Sequence, residues 1–207
     1  MKNVITHTKK GFLMVTMFAT LLSFAKESSL SIIKNDDKRT SLTLESVKKG
    51  NLLSIKDNKG IVLYKELIEA SGIYTKGFDL TTLPNGAYVF ELDGEVEIKT
   101  IPFTVESSKV VFDKNLEETT FKPFVRVDND LVFISKLALH NEELKIDVYF
   151  EDLNGDYTSN PVYTETIKGT KKIERVLKLK TLGFEQKGNY TIVLKSNGRE
   201  FTQYINI

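Results

Sequence analysis

The chain of 207 residues carries 29 Lys and Arg against 28 Asp and Glu, a formal charge of +1, and no cysteine. That balance offers no electrostatic footprint for nucleic acid or anionic lipid. The missing cysteine excludes disulfides, thiolate metal sites, a cysteine nucleophile and a lipidated cysteine.

In chain order, the first element is a leader. Lys2, Lys9 and Lys10 precede an apolar run from Gly11 to Phe24 that closes on Ser23-Phe24-Ala25. A membrane span needs roughly 20 apolar residues, more than this run supplies, so residues 1–25 read as a secretory signal peptide cleaved after Ala25. The mature chain is expected to begin unlipidated at Lys26, to be secreted or periplasmic, and to contain no transmembrane span. Losing three lysines and no acid leaves 26 basic against 28 acidic residues.

From Leu30 onward the dominant period is two. Leu42 and Leu44, Leu53 and Ile55, Tyr88, Phe90 and Leu92, and Tyr190, Ile192 and Leu194 recur at every second position, the pattern of half-buried strands. The runs "DNKG" at 57–60, "LDGE" at 92–95, "LNGD" at 153–156 and "SNGR" at 196–199 supply tight turns between strands. "LYKELIEASG" at 63–72 tempts a helix through Leu63, Leu67 and Ala70 but is short and stops at Gly72; it reads as strand, then loop.

The second half echoes the first. A shift of 95 positions sets Leu30 and Ile32 over Val125 and Val127, Leu42 and Leu44 over Leu137 and Leu139, Leu53 and Ile55 over Val148 and Phe150, and Asp57 and Gly60 over Asp152 and Gly155. After extra loop residues near 158–161 and 185–187, Leu80, Leu83, Gly86 and Tyr88 answer to Leu179, Leu182, Gly188 and Tyr190. So long a repeat is a duplicated domain, since solenoid units run roughly 20–50 residues. Six or so short strands per copy need two packed sheets. The predicted fold is therefore all-β, two tandem immunoglobulin-like antiparallel β-sandwich domains at 26–107 and 108–207, divided at Glu106-Ser107-Ser108. Tyr88 and Tyr190 follow the crossing between sheets and are expected to be structural corner tyrosines, ring inside and hydroxyl bonded to upstream backbone.

"IKDNKG" at 55–60 followed by "FDLTTLPNGAYVFEL" at 78–92 resembles the type A C-terminal sorting domain of bacterial type IX secretion cargo, where a strand ending in Asp and Gly precedes an L-x-x-L-x-x-G-x-Y corner and a terminal hairpin. The likeness covers about 50 residues of the first copy and, more loosely, the last 60 of the second. It implies an immunoglobulin-like or fibronectin III-like module of an exported bacterial protein.

Candidate chemistry is sparse. Past the leader the one histidine, His140, sits beside Asn141 and Glu142 without a nucleophile-elbow sequence, so it reads as a surface residue and not the base of a triad. Asp152, Asn154 and Asp156 open like a calcium loop, but position twelve is Tyr163 and a hairpin turn fits better; "DND" at 128–130 reads the same way. No catalytic residue, metal ligand or cofactor site is assigned, and a carboxylate-based hydrolase is the enzymatic alternative. With Val148 and Phe150 facing the core, Tyr149 faces outward near Tyr157 and Tyr163, and the three are candidate partner-binding residues for a protein or glycan of the envelope; cross-strand pairing explains them equally. The expected function is that of an exported, non-enzymatic binding or structural protein. The alternatives are a type IX sorting or anchoring unit and a carbohydrate-binding accessory protein.

Overall fold

The structure, a computed structural model, describes residues 30–36, 39–152, 160–179 and 188–206. The leader, Asn154, Gly155, Asp156, Tyr157 and Leu182 lie outside the described residues. Seven strands build a first sandwich: β1 (Leu30–Asp36), β2 (Arg39–Val47), β3 (Leu52–Asp57), β4 (Val62–Leu67), β5 (Gly72–Phe78), β6 (Gly86–Asp93) and β7 (Glu97–Glu106). One sheet runs β1-β2-β5 and the other β4-β3-β6-β7. Two short strands, β8 (Lys109–Phe112) and β9 (Glu118–Phe121), extend the latter by pairing with the outer edge of β7.

A second sandwich repeats the order. β10 (Phe124–Asp128), β11 (Leu131–Leu137), β12 (Leu144–Asp152), β13 (Tyr163–Ile167), β14 (Lys172–Lys178), β15 (Gly188–Ser196) and β16 (Arg199–Asn206) form β10-β11-β14 over β13-β12-β15-β16. Every pairing among the described residues is antiparallel, and the protein is an all-β, immunoglobulin-like sandwich fold. Each sandwich closes over its own apolar cluster. Leu42, Leu53, Phe90 and Phe103 belong to the first, and Ile134, Val148, Tyr190 and Ile192 to the second. Each such side chain contributes about 1.5–3 kcal/mol by leaving water. The stretch 63–72 is strand β4, then a loop; single 3₁₀ turns occur elsewhere, as at Leu80–Thr82 and Lys114–Leu116.

Pairing partners fix the register of the duplication. Leu42 lies opposite Lys76 and Ile134 opposite Arg175, an offset of 92 for β2 and β11. Ile55 lies opposite Phe90 and Val148 opposite Ile192, an offset of 93 for β3 and β12. Tyr64 and Tyr163, opposite those same residues, are 99 apart, and Tyr88 and Tyr190 are 102 apart. The shift of 95 for the early strands is therefore corrected, while the later shift of 102 agrees with the pairing of Tyr88 and Tyr190. On β3 the error is two residues and leaves the facing unchanged. On β11 it is three, and the facing flips: Leu137 and Leu139 point to solvent while Val132, Ile134, Lys136 and Ala138 line the interior.

The boundary also moves. Ser107 and Ser108, expected to divide the domains, are the two central residues of the β7–β8 hairpin, with φ of 48° and 61°, the conformation of a type I′ turn. Val110 is in the first core and Phe112 packs against it, Lys122 N–H donates to the Val96 carbonyl at 2.9 Å, and the second sandwich begins at Phe124. Fragments 26–122 and 123–207 are expected to melt cooperatively. A fragment ending at Ser107 loses Val110 and Phe112 from its core and is expected to be less stable than 26–122 by about 3 kcal/mol or more; thermal unfolding followed by circular dichroism compares the three.

Candidate functional site

Sheet alternation decides what each tyrosine can do, because successive side chains leave a strand on opposite faces. On β12, Ile146, Val148 and Phe150 are buried in the core, so Tyr149, half-buried, emerges on the outer face of the four-stranded sheet. Across that face Tyr149 pairs with Thr191 of β15, and Thr191 pairs with Tyr204 of β16. Tyr204 is 75% exposed. Strand spacing puts the two tyrosine backbones about 10 Å apart with a threonine between them.

The neighbouring rows complete a polar, hydrogen-bonding surface. Toward one end Glu151, Asn189 and Asn206 stand side by side. Asn189 Nδ2 donates to Glu151 Oε2 at 3.2 Å, and Asn206 Nδ2 donates to Asn189 Oδ1 at 2.7 Å. Together with Thr191 and Tyr204 these residues line an open depression of about 560 Å³. In the other direction Asp147, Val193 and Thr202 form the next row. Asp147 is buried and accepts from Thr164 Oγ1 at 2.6 Å and lies 2.9 Å from Lys145 Nζ. Burial raises its carboxyl, and these two partners more than offset that, leaving its pKa below the ordinary value.

The first copy has no such platform. At the offsets above, Tyr149, Thr191 and Tyr204 correspond to Lys56, Val89 and Pro102, which form one row of the equivalent sheet. The aromatic face belongs to one copy of the duplication.

The structure does not bring the three expected tyrosines together. Tyr163 lies opposite Val148 and packs against the second core, on the face away from Tyr149, so its place in a shared patch is corrected; Tyr157 is outside the described residues. Tyr204 was not singled out by sequence. Its signal is the alternation in "REFTQYINI", where Phe201 packs against the core, Ile205 is buried within it and Tyr204 faces outward.

Tyr163 serves a different device, present in both copies. Its hydroxyl donates to Glu165 Oε2 at 2.7 Å, and Arg175 of β14 forks onto the same carboxylate at 2.6–2.8 Å. In the first sandwich Tyr64 donates to Glu66, which also accepts from Tyr74 at 2.9 Å and from Lys76 Nζ of β5 at 2.5 Å. A Tyr-x-Glu on one edge strand and a cation on the edge strand of the facing sheet thus tie the two sheets together along one side. The Lys76 and Tyr64 hydrogen bonds hold the Glu66 carboxyl at about 2. Burial, and then Glu165, push the Tyr163 hydroxyl up to about 12. This Tyr-x-Glu recurrence at 64–66 and 163–165 was legible in the sequence once the right offset is used.

Tyr88 and Tyr190, the expected corner tyrosines, are both buried in their cores. Tyr88 stacks on Phe103 at 5.4 Å and its hydroxyl donates to the Pro84 carbonyl at 2.7 Å. Tyr190 is buried against Phe150 at 5.0 Å, and burial raises its hydroxyl pKa. His140 is exposed, and its backbone N–H donates to Glu142. Among the described residues no group of three or more His, Cys, Asp or Glu is placed to hold a metal, and no helix is long and apolar enough to cross a membrane.

No protein-family model matches the chain, and no curated protein does. Among solved structures, a biofilm-associated protein BSP domain is similar at a TM-score of 0.26 and 13% identity over 86% of this chain. The human OSCAR ligand-binding domain is similar at a TM-score of 0.25 and 9% identity, over 87% of this chain and 97% of that one. The chain spans 29% of the length of the biofilm-associated protein. At these TM-scores it is the chain's own strand order that carries the fold; the comparisons do not identify a type IX sorting domain.

Proposed function

We propose that this is an exported, non-enzymatic binding protein of the cell envelope or secreted fraction, built from a duplicated immunoglobulin-like module, whose second copy engages a glycan or protein through the outer face of β12, β15 and β16. The observation that carries this reading is the row Tyr149-Thr191-Tyr204 beside the Glu151-Asn189-Asn206 ladder. An exposed tyrosine beside a half-buried one gives large contact area at low entropic cost, and flanking amides and a carboxylate give orientation. Export rests on the leader sequence at 1–25.

The test is an array of glycans and envelope protein fractions probed with residues 26–207. Tyr204→Ala is expected to weaken whatever binding is found at least about tenfold, as for a central aromatic anchor, while stability changes by no more than about 0.5 kcal/mol because the ring is on the surface. Unchanged binding in that variant would remove this face from the proposal. A second reading, a sorting or anchoring unit of type IX secretion, draws on the resembling run 55–92, which folds as the end of β3 through to β6. Residues 26–122 placed at the C-terminus of a periplasmic reporter should reach the cell surface only under that reading.

A further inference from the structure

The two sandwiches meet at a second place far from the connector in sequence. Arg199, just past the Asn197-Gly198 turn between β15 and β16, reaches Glu91 of β6, with Nη2 2.6 Å from Oε2 and Nη1 3.3 Å from Oε1. Lys56 of β3 also donates to Glu91 Oε1, at 2.7 Å. The Glu91 side chain is only 6% exposed. Burial raises its carboxyl, but the hydrogen bonds from Arg199 and Lys56 outweigh that, and its pKa ends below the ordinary value. A forked guanidinium on a desolvated carboxylate is directional as well as strong.

The covalent connector is equally short. Lys122 is bonded through its backbone to Val96 of the first sandwich, and its ammonium lies 2.6 Å from Asp93 Oδ1, an ionic contact without hydrogen-bond alignment. Phe124 already pairs with Ser135 of the second. Pro123 alone intervenes, with its φ locked by the ring.

The distant contact belongs to the junction and not to the module. The Tyr-x-Glu and cation device recurs in both sandwiches, at Tyr64, Glu66 and Lys76 and at Tyr163, Glu165 and Arg175. The three residues of the contact do not recur: at the offsets set by pairing, Lys56 corresponds to Tyr149, Glu91 to Val193 and Arg199 to Glu97. We propose that Glu91, Lys56 and Arg199 are a latch that, with the Pro123 connector, holds the two sandwiches as one rigid body, so that the face bearing Tyr204 keeps a fixed direction relative to the first sandwich.

The chain has no cysteine, so a pair of spin labels can be placed cleanly at Lys65→Cys and Thr166→Cys, exposed positions on β4 and β13. Dipolar distance measurements on residues 26–207 are expected to give one narrow distribution. Arg199→Ala and Glu91→Gln should each broaden it at least about twofold, and Arg199→Lys should fall between, because an ammonium keeps the charge and loses the fork. Far-UV circular dichroism checks that each variant is folded. A broad distribution in the unmutated background, or an unchanged one in both Arg199→Ala and Glu91→Gln, would overturn the latch. Neither result bears on whether the Tyr204 face binds.

Discussion

Replacing Glu142 by glutamine is expected to destabilise the second sandwich by about 3–5 kcal/mol, the range for removing one partner of a buried ion pair. Lys136 points into the core where the first copy has Leu44, and its side chain is 0% exposed. Its ammonium has Glu142 Oε1 at 3.7 Å and donates to the Leu137 carbonyl at 3.2 Å. Without the negative charge, a desolvated cation keeps only neutral acceptors, the Leu137 carbonyl and the glutamine amide oxygen. The double variant Lys136→Met, Glu142→Gln removes both charges and leaves an acceptor for the His140 N–H that Glu142 now receives at 3.0 Å; it should come within about 1 kcal/mol of the parent or exceed it. Burial sets the Lys136 pKa below the ordinary lysine value, against the pull of Glu142. Between the folded and unfolded values the unfolded chain therefore holds more protons, so this group's contribution to stability rises with pH toward about 10.4. Part of the Glu142→Gln loss should be recovered as pH is raised through that window. Urea unfolding of 123–207 at neutral and alkaline pH measures all of it, and a neutral Glu142→Gln would place Lys136 in contact with water.

Truncation of either Tyr88 or Tyr190 is the other large effect. Tyr88→Ala and Tyr190→Ala should each cost about 3–5 kcal/mol, as for buried aromatic rings elsewhere, since Tyr88 loses its stack on Phe103 and Tyr190 its packing on Phe150. Tyr88→Phe should be much milder, about 0.5–1.5 kcal/mol. It deletes the bond to the Pro84 carbonyl, but Pro84 is itself exposed and water can take the vacated acceptor. The loss in Tyr88→Ala should appear in fragment 26–122 and that in Tyr190→Ala in 123–207, each leaving the other fragment's midpoint untouched. Calorimetry of the fragments beside the full chain makes the assignment.

The sandwich architecture was legible because it is written in two independent signals, alternation and turn residues, that agree. The register of the repeat was not. A period of two hides any even slip, so the two-residue error on β3 and β12 left Leu53, Ile55, Val148 and Phe150 all correctly inside. An odd slip is visible only when the core positions are apolar, and on β11 one of them is Lys136; Leu137 and Leu139 then look like the natural interior pair although both are 45% exposed. The domain boundary failed for a related reason. Ser107-Ser108 has the composition of a linker, yet a type I′ hairpin uses small polar residues too, and only the pairing of β8 and β9 with β7 tells them apart. Of the binding candidates, Tyr149 followed from alternation; Tyr204 needed the strand order, which sets β12 and β16 on either side of β15.

Binding by the isolated second sandwich is the most direct measurement of what the duplication is for. On the same array of glycans and envelope proteins, residues 123–207 should bind every ligand of the full chain within about threefold, some 0.7 kcal/mol, and residues 26–122 should bind none of them. Ligands retained by 26–122 and lost by 123–207 would contradict a recognition face on β12, β15 and β16.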